Sequence, residues 1–245
     1  MPKYDKRIRI FLTLDCNLAC PYCVNREFAP IATYAPLPAV AWARAINRIK
    51  RNVIFTGGEP FLYPELIKLV NAINPKIGVR IYSNLTQNPT EFVERVTRPV
   101  DFLGSYHPVS GPPDKVLANI SILASRFGGR VHSINWTGHS LTKARRALKA
   151  AKWSFAVEGD QRVEHAAASS RKRRSAVRCI SRNILVAPNG VRYPCVSALL
   201  RNTLVQENVI TEPLRSVDVD VRCSDYGHCA ACDGLTQRKL LRGAS

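Results

Sequence analysis

The stretch of sequence that decides the fold is residues 8–23, IRIFLTLDCNLACPYC. It opens with an apolar run typical of a β-strand. The cysteine loop that follows, residues 15–23, has the spacing CxxxCxxC and holds Cys16, Cys20 and Cys23. Three thiolates are one fewer than the four that normally hold a [4Fe–4S] cluster, so one iron would be left open for a chelating ligand. The pattern therefore predicts an iron–sulfur site with an open position.

A glycine-rich turn strengthens this interpretation. Residues 53–56 form a second apolar run, and Gly57-Gly58-Glu59-Pro60 follows it directly. Such a turn would put bare backbone and one carboxylate beside the open iron. Zinc is the alternative for the triad, but zinc sites usually show CxxC pairs and four ligands. A disulfide is disfavoured because we recognise no signal peptide and expect a reducing compartment.

The cysteine loop and the Gly-Gly-Glu-Pro turn together resemble the radical S-adenosylmethionine (SAM) superfamily, over roughly the first 160 residues. The resemblance implies that the three cysteines bind the cluster and that the open iron binds SAM. It implies reductive cleavage of SAM to a 5′-deoxyadenosyl radical, which abstracts a substrate hydrogen, and an external one-electron reductant of flavodoxin or ferredoxin type. The catalytic residues would be Cys16, Cys20, Cys23 and Glu59. Tyr22 matches a position near the adenine, and the motif that binds the SAM amino group corresponds to Gly57, Gly58, Glu59 and Pro60.

Strand-like and helix-like runs alternate along the same part of the chain. This order predicts a parallel sheet with crossover helices, which fits the partial, TIM-like (β/α)6 barrel of the resembled family. The predicted strands are residues 8–14, 53–56, 79–82, 102–105, 130–134 and 153–157, and the predicted helices are residues 37–50, 64–73, 89–96, 113–126 and 141–151.

Polar residues follow the third, fourth and fifth predicted strands, where the active sites of such barrels lie. In the resembled family these positions contact the ribose or the carboxylate of SAM, so Ser83, Asn84 and Ser105 are predicted to bind SAM. The alternative for each is a turn or cap residue. His107 either faces the substrate or closes a loop, and Asn135 follows the fifth strand.

A second set of cysteines occupies the last third of the chain. A predicted β-hairpin with Asn189-Gly190 at its tip separates the first two of them. Four thiolates would complete a second, auxiliary [4Fe–4S] cluster. The arrangement resembles the twitch domain, which is a shortened form of the SPASM domain. A zinc ribbon is the alternative. The predicted metal ligands are Cys179, Cys195, Cys229 and Cys232, with Cys223 as a fifth thiol that replaces a ligand, stays free or faces the substrate.

These patterns predict three parts: a radical SAM partial barrel (residues 1–160), a basic linker (161–178) and a small cysteine-rich domain of a β-hairpin with a loop and helix (179–245). The chain is strongly basic, with 36 Lys and Arg against 18 Asp and Glu and a net charge of +18. Such a charge favours an anionic partner, although a solvated surface is the alternative. The basic residues concentrate in the last predicted helix and in Arg171-Lys172-Arg173-Arg174.

The function predicted from the sequence is that of a radical SAM enzyme acting on an anionic substrate. We favour modification of a nucleobase or of a group carried on a nucleic acid. The alternatives are maturation of a ribosomally made peptide, with an acidic peptide as the anionic partner, and radical dehydrogenation of a sugar or cyclitol. No apolar run approaches the length of a membrane span. We expect a cytoplasmic monomer.

Overall fold

The structure is a computed structural model, and it describes residues 7–28, 31–136, 156–159, 175–181, 184–214, 218–226 and 237–240. Its main feature is an eight-stranded sheet in the order β6-β5-β4-β3-β2-β1-β8-β9, in which β1 to β6 are parallel neighbours. The strands are β1 (Ile8–Thr13), β2 (Val53–Gly57), β3 (Val79–Ser83), β4 (Asp101–Tyr106), β5 (Val131–Trp136), β6 (Ala156–Gly159), β8 (Ile184–Val186) and β9 (Arg192–Tyr193).

Amphipathic helices follow the strands and pack against the sheet. Helix α2 (Ala39–Ile49), for example, buries Trp42 and Ile46 against it and is followed by Lys50, which adopts the left-handed conformation. Most of the buried apolar strand residues and inner helix faces form one core, and a second buried cluster includes Phe11, Leu185, Tyr193 and Leu199. The helices are α1 (Val24–Glu27), α2 (Ala39–Ile49), α3 (Leu66–Ala72), α4 (Thr90–Arg95), α5 (Asp114–Phe127) and α6 (Val196–Arg201).

The alternating pattern and the parallel sheet confirm the predicted fold class. All six predicted barrel strands are present, each within a few residues of its predicted bounds. The predicted helix of residues 141–151 lies outside the described residues. No helix in the described part of the chain has the length and the apolar character needed to cross a bilayer.

The predicted hairpin is present, and it extends the barrel sheet. β8 pairs in parallel with β1, with Ile184 opposite Ile8, and β9 returns antiparallel to β8. Gly190, with a φ of 85°, makes the turn between them. β8 is fully buried, as expected for an apolar strand that is covered on both faces. β8 lies on the opposite side of β1 from β2, so a strand from the last third of the chain joins the barrel sheet.

A separate antiparallel sheet has the order β10-β7-β11, with β7 (Ser175–Ser181) in the middle. Its outer strands are β10 (Val219–Tyr226) and β11 (Gln237–Leu240). β7 begins inside the segment predicted to be a basic linker, residues 161–178. The Ser181 hydroxyl donates to the Pro194 carbonyl oxygen at 2.5 Å, which ties the end of β7 to the end of the hairpin. The predicted domain boundaries themselves stay a prediction.

Candidate active site

The cysteine loop leaves β1 at the carboxyl edge of the parallel sheet, next to the ends of β2 and β3. Cys20 is buried, Cys23 is half-buried and Cys16 is exposed. A turn closed by a hydrogen bond from the Cys23 amide to the Cys20 carbonyl, 3.1 Å, ends the loop. Within the residues that the structure describes, no three Cys, His, Asp or Glu side chains converge closely enough to hold a metal ion. The three cysteines share one loop, and Cys23 lies close enough to Cys16 to act electrostatically on its thiol.

The two glycines after β2 pack directly against the backbone that leads into the cysteine loop. The Gly58 amide donates to the Thr13 carbonyl oxygen at 2.9 Å, and the Glu59 amide donates to that of Asp15 at 2.8 Å. A Cβ on Gly58 would lie 1.9 Å from the Asp15 oxygen. Gly57 has a φ of 134°, and a Cβ there would lie 2.0 Å from the Thr13 oxygen. Glycine is needed at both positions because backbone meets backbone there.

Glu59 lies under this turn and is fully buried. Its carboxylate accepts hydrogen bonds from the Phe61 amide at 3.2 Å, the Ser83 hydroxyl at 2.8 Å and the Asn84 amide at 2.7 Å. Burial raises the pKa of Glu59 to about 7, although all three donors favour the ionised form. The side chain therefore joins the end of β2 to the end of β3 from below the surface.

Asn84, at the end of β3, reaches the cysteine loop. Its side-chain Nδ2 lies 3.8 Å from Cys16 Sγ and 3.0 Å from Asn17 Oδ1. Its Oδ1 accepts from the Thr86 amide at 3.0 Å and from the Thr86 hydroxyl at 2.6 Å. Asn17 in turn donates to that hydroxyl at 2.7 Å. These four residues form a closed polar network between β3 and the cysteine loop.

The surroundings of Cys16 act on the pKa of its thiol in opposite directions. Burial raises the pKa of the Cys16 thiol, and the nearby carboxylate of Glu59 and thiol of Cys23 raise it further. Two N–H donors, the Leu18 amide at 3.4 Å and the Asn84 side chain, lower it. Three thiols on one loop, with hydrogen-bond donors already aimed at one sulfur, fit the ligand set of an iron–sulfur cluster.

A second contact joins the cysteine loop to β4. The Tyr22 hydroxyl lies 2.9 Å from His107 Nδ1, and the two ring centres are 5.8 Å apart. His107 is buried. The prediction that His107 either faces the substrate or closes a loop missed this contact. Ser105 is half-buried on β4, where it is paired in register with Asn135 of β5.

The second cysteine set is spread over several elements. Val221 lies opposite Cys179, and Cys223 lies opposite Val177, so both cysteines project from the same face of neighbouring strands. Cys195 precedes α6, and its sulfur accepts a hydrogen bond from the Ala198 amide at 3.4 Å. The predicted ligands Cys229 and Cys232 lie outside the described residues.

Sequence reasoning identified Ser83, Asn84 and the glycine turn, but it missed Asn17, Thr86 and Asn119. The Asn119 side chain donates to the Leu85 and Gln87 carbonyl oxygens at 2.8 and 3.0 Å and so holds the loop after β3. An asparagine between two predicted ligands was a usable signal for Asn17. Nothing in the sequence pattern connects Asn119, on α5, with that loop.

The family model of the radical SAM superfamily matches residues 10–152, more than half of the chain. The chain belongs to the radical SAM superfamily. Members of this superfamily use a [4Fe–4S] cluster, SAM and an external reductant, so the chain is a radical SAM enzyme. The predicted cofactors of the first site and the predicted enzyme class are confirmed at this level.

Curated relatives match short segments of this radical SAM chain. GTP 3′,8-cyclase of Chlorobaculum tepidum is 37% identical over 76 residues, which are 29% of this chain and 22% of the relative. Molybdenum cofactor biosynthesis protein 1 of Bos taurus is 31% identical over 83 residues, which are 32% of this chain and 13% of the relative. The chain thus spans less than a quarter of the length of these relatives.

Solved structures of radical SAM enzymes share the fold. The anSMEcpe structure with bound AdoMet has a TM-score of 0.56 at 12% identity and covers 84% of this chain and 78% of that one. The BtrN complex with AdoMet and 2-DOIA has a TM-score of 0.54 at 19% identity and covers 85% of this chain and 80% of that one. At such low identity, the likeness establishes the partial barrel alone.

Proposed function

We propose that Cys16, Cys20 and Cys23 hold the radical SAM cluster at the carboxyl edge of the sheet. The observation that carries this is the convergence of the glycine turn and Asn84 on the Cys16 end of the loop. When bound, the cluster and SAM supply a 5′-deoxyadenosyl radical that abstracts a substrate hydrogen atom. The protein supplies position and a dry site for this chemistry.

The predicted SAM contacts divide by exposure. Tyr22, Ser105 and the glycine turn have half-buried groups at this edge, and we assign them to SAM. Ser83 and Asn84 are buried and engaged with Glu59 and the cysteine loop. Pro60 is also buried and begins a turn of 3₁₀ helix. The contact between Glu59 and the SAM ammonium group stays a prediction, because protein donors surround its buried carboxylate.

A second, auxiliary [4Fe–4S] cluster is the proposed function of the later cysteines, with a zinc ribbon as the alternative. Support comes from the hydrogen bond between Ser181 and Pro194, which ties the strand of Cys179 to the residue before Cys195. The remaining proposed ligands are Cys229 and Cys232. Cys223, on the same sheet face as Cys179, is the fifth thiol.

For the substrate we favour a nucleobase, or a group carried on a nucleic acid. The net charge of +18 supports an anionic substrate, and the curated relatives that match a segment of the chain include proteins named for a reaction of GTP. Peptide maturation and sugar or cyclitol dehydrogenation are the alternatives. The same fold binds a peptide in anSMEcpe and 2-DOIA in BtrN, so the fold does not choose between them.

Deuterium transfer tests both parts of this proposal. The anaerobically reconstituted protein is mixed with SAM, dithionite and one deuterated candidate: a nucleic acid, an acidic peptide or a cyclitol. We expect SAM cleavage, with deuterium in 5′-deoxyadenosine from the nucleic acid alone. Transfer from the peptide or the cyclitol instead would overturn the substrate class, and failure to cleave SAM would overturn the assignment of the site.

Salt dependence gives a second test of the substrate class. If Arg171, Lys172, Arg173 and Arg174, which lie outside the described residues, contact phosphates, on the order of five contacts give a slope of log affinity against log salt of about −4 on duplex DNA. Changing all four to Ser should flatten the slope and leave SAM cleavage intact. An acidic peptide at the same salt is the comparison. If duplex DNA, single-stranded DNA and RNA all fail to bind at low salt, the peptide becomes the favoured substrate.

A further inference from the structure

We propose that Asn84 is a positioning residue for the iron–sulfur site: its side-chain amide donates to Cys16 Sγ and so raises the reduction potential of the cluster that Cys16 binds. The inference rests on the proposed function, because it requires Cys16 to be a ligand. Its basis is the contact between Asn84 Nδ2 and Cys16 Sγ at 3.8 Å. Hydrogen bonds to ligand sulfurs are among the features that set the potential of such clusters.

The orientation of the Asn84 amide is fixed by its other partners. The Thr86 backbone amide lies 3.0 Å from Asn84 Oδ1, and a backbone N–H can donate but not accept. The oxygen must therefore face Thr86, which leaves the NH2 group facing Cys16. Asn17 Oδ1, 3.0 Å from Nδ2, takes a second N–H of the same group. A rotated amide would break both contacts.

The backbone of Asn84 is held just as firmly. Its amide donates to Glu59 Oε2 at 2.7 Å, while the neighbouring Ser83 hydroxyl donates to Oε1 at 2.8 Å. Asn84 is 7% exposed and Glu59 is 0% exposed. The carboxylate of the glycine turn thus anchors the residue that donates to Cys16. Glu59 acts on the sulfur through Asn84, whether or not it also meets SAM.

Two substitutions remove the donor in different ways. Asn84→Asp keeps the size of the side chain and the oxygen that Thr86 needs, but it replaces the NH2 group with a second oxygen. Asn84→Ala removes the donor without adding charge. Asn119→Ala is the matched control, because Asn119 is also buried and holds the same loop through Leu85 and Gln87. The hydrogen bonds of its side chain go to those two carbonyl oxygens.

The experiment is a redox titration monitored by electron paramagnetic resonance on the reconstituted full chain. The signal that changes on addition of SAM identifies the cluster with the open iron. We expect the midpoint potential of this cluster to shift to more negative values in Asn84→Asp and in Asn84→Ala, and to stay at the wild-type value in Asn119→Ala. Thermal melts of all three variants show whether any of them loses the fold.

The outcomes separate this inference from the proposed function. If the wild type has a cluster that responds to SAM and the two Asn84 variants keep its potential, the inference alone is overturned. It is also overturned if Asn119→Ala shifts the potential as much as the Asn84 variants do, because the effect then comes from a loosened loop. If the wild type has no cluster that responds to SAM, the proposed function and the inference fall together.

Discussion

The two cysteine regions of this molecule are built in opposite ways. Cys16, Cys20 and Cys23 lie on one short loop. Three residues that directly follow β2, β3 and β4 contact this loop, namely Gly58, Asn84 and His107. The members of the second set that the structure describes, Cys179, Cys195 and Cys223, lie on β7, at the end of the hairpin and on β10. A set on one loop is held by its local backbone before any iron binds, whereas a distributed set depends on tertiary structure. We therefore expect the second region to depend more on its metal for order.

The largest effect expected is the complete loss of SAM cleavage when the three cysteines of the first region are replaced. The wild type should hold close to eight irons in two [4Fe–4S] clusters, and changing Cys16, Cys20 and Cys23 to Ala should leave about four and abolish SAM cleavage. Iron analysis and 5′-deoxyadenosine formation measure the two effects. A triple variant that still cleaves SAM under dithionite would contradict the radical site. A wild type with about four irons and one zinc would make the second region a zinc ribbon.

Substitution of Gly58 should disrupt the contact between the glycine turn after β2 and the cysteine loop. A Cβ on Gly58 would lie 1.9 Å from the Asp15 carbonyl oxygen, and the backbone there has little room to move. We expect Gly58→Ala to cost about 3 kcal/mol of unfolding free energy, measured by denaturant titration.

Gly111→Ala is the control for backbone conformation. Gly111 has a φ of 86°, but no atom lies within 4 Å of a Cβ added there. Its cost should be about 1 kcal/mol. Equal losses at the two glycines would mean that the contact between the glycine turn and the cysteine loop is not rigid.

A smaller effect, on SAM binding, is expected when Glu59 of the glycine turn is replaced. Replacing the carboxylate by Gln should weaken SAM binding about tenfold to a hundredfold and leave the cluster in place, because a charge-assisted hydrogen bond contributes roughly 1.5–3 kcal/mol. Isothermal calorimetry on the reconstituted protein measures the affinity. An unchanged dissociation constant for SAM would count against any contact with the ammonium group.

A modest effect on hydrogen exchange separates the two regions directly. Removing iron should speed amide exchange in β7 and β10 by about tenfold, which corresponds to about 1.4 kcal/mol of local opening free energy. Amides of β1 and β2 should change little, because their ladder does not pass through the cysteines. Hydrogen exchange read by mass spectrometry provides the measurement. Equal acceleration in β1 and β7 would erase the distinction between the regions.

Local patterns in the sequence predict most of the barrel and of the first site. Apolar runs locate the six barrel strands because each strand is one continuous stretch of sequence, and CxxxCxxC locates the cysteine loop because its cysteines lie close together in sequence. The glycine pair is predictable for the same reason, because the close approach of backbone to backbone requires glycine at two adjacent positions.

Contacts between distant segments are what the sequence does not reveal. Tyr22 contacts His107 because β4 ends beside the cysteine loop. The separation of the two residues in the sequence does not predict this contact. The hairpin strand β8 looks like part of a separate unit, yet it hydrogen-bonds to β1. The network of Asn17, Asn84 and Thr86 likewise appears once β3 is placed beside the cysteine loop.

The pairing of β8 with β1 has a consequence for how the chain folds during synthesis. β1 is synthesised before β2 and β8. β2 pairs with one edge of β1, and the other edge stays unpaired until β8, from the last third of the chain, has been synthesised. Until β8 emerges from the ribosome, β1 exposes an apolar edge of the kind that invites pairing with another chain. A fragment cut before residue 184 would keep that edge permanently. Such fragments should aggregate, and the barrel should be produced as a whole chain.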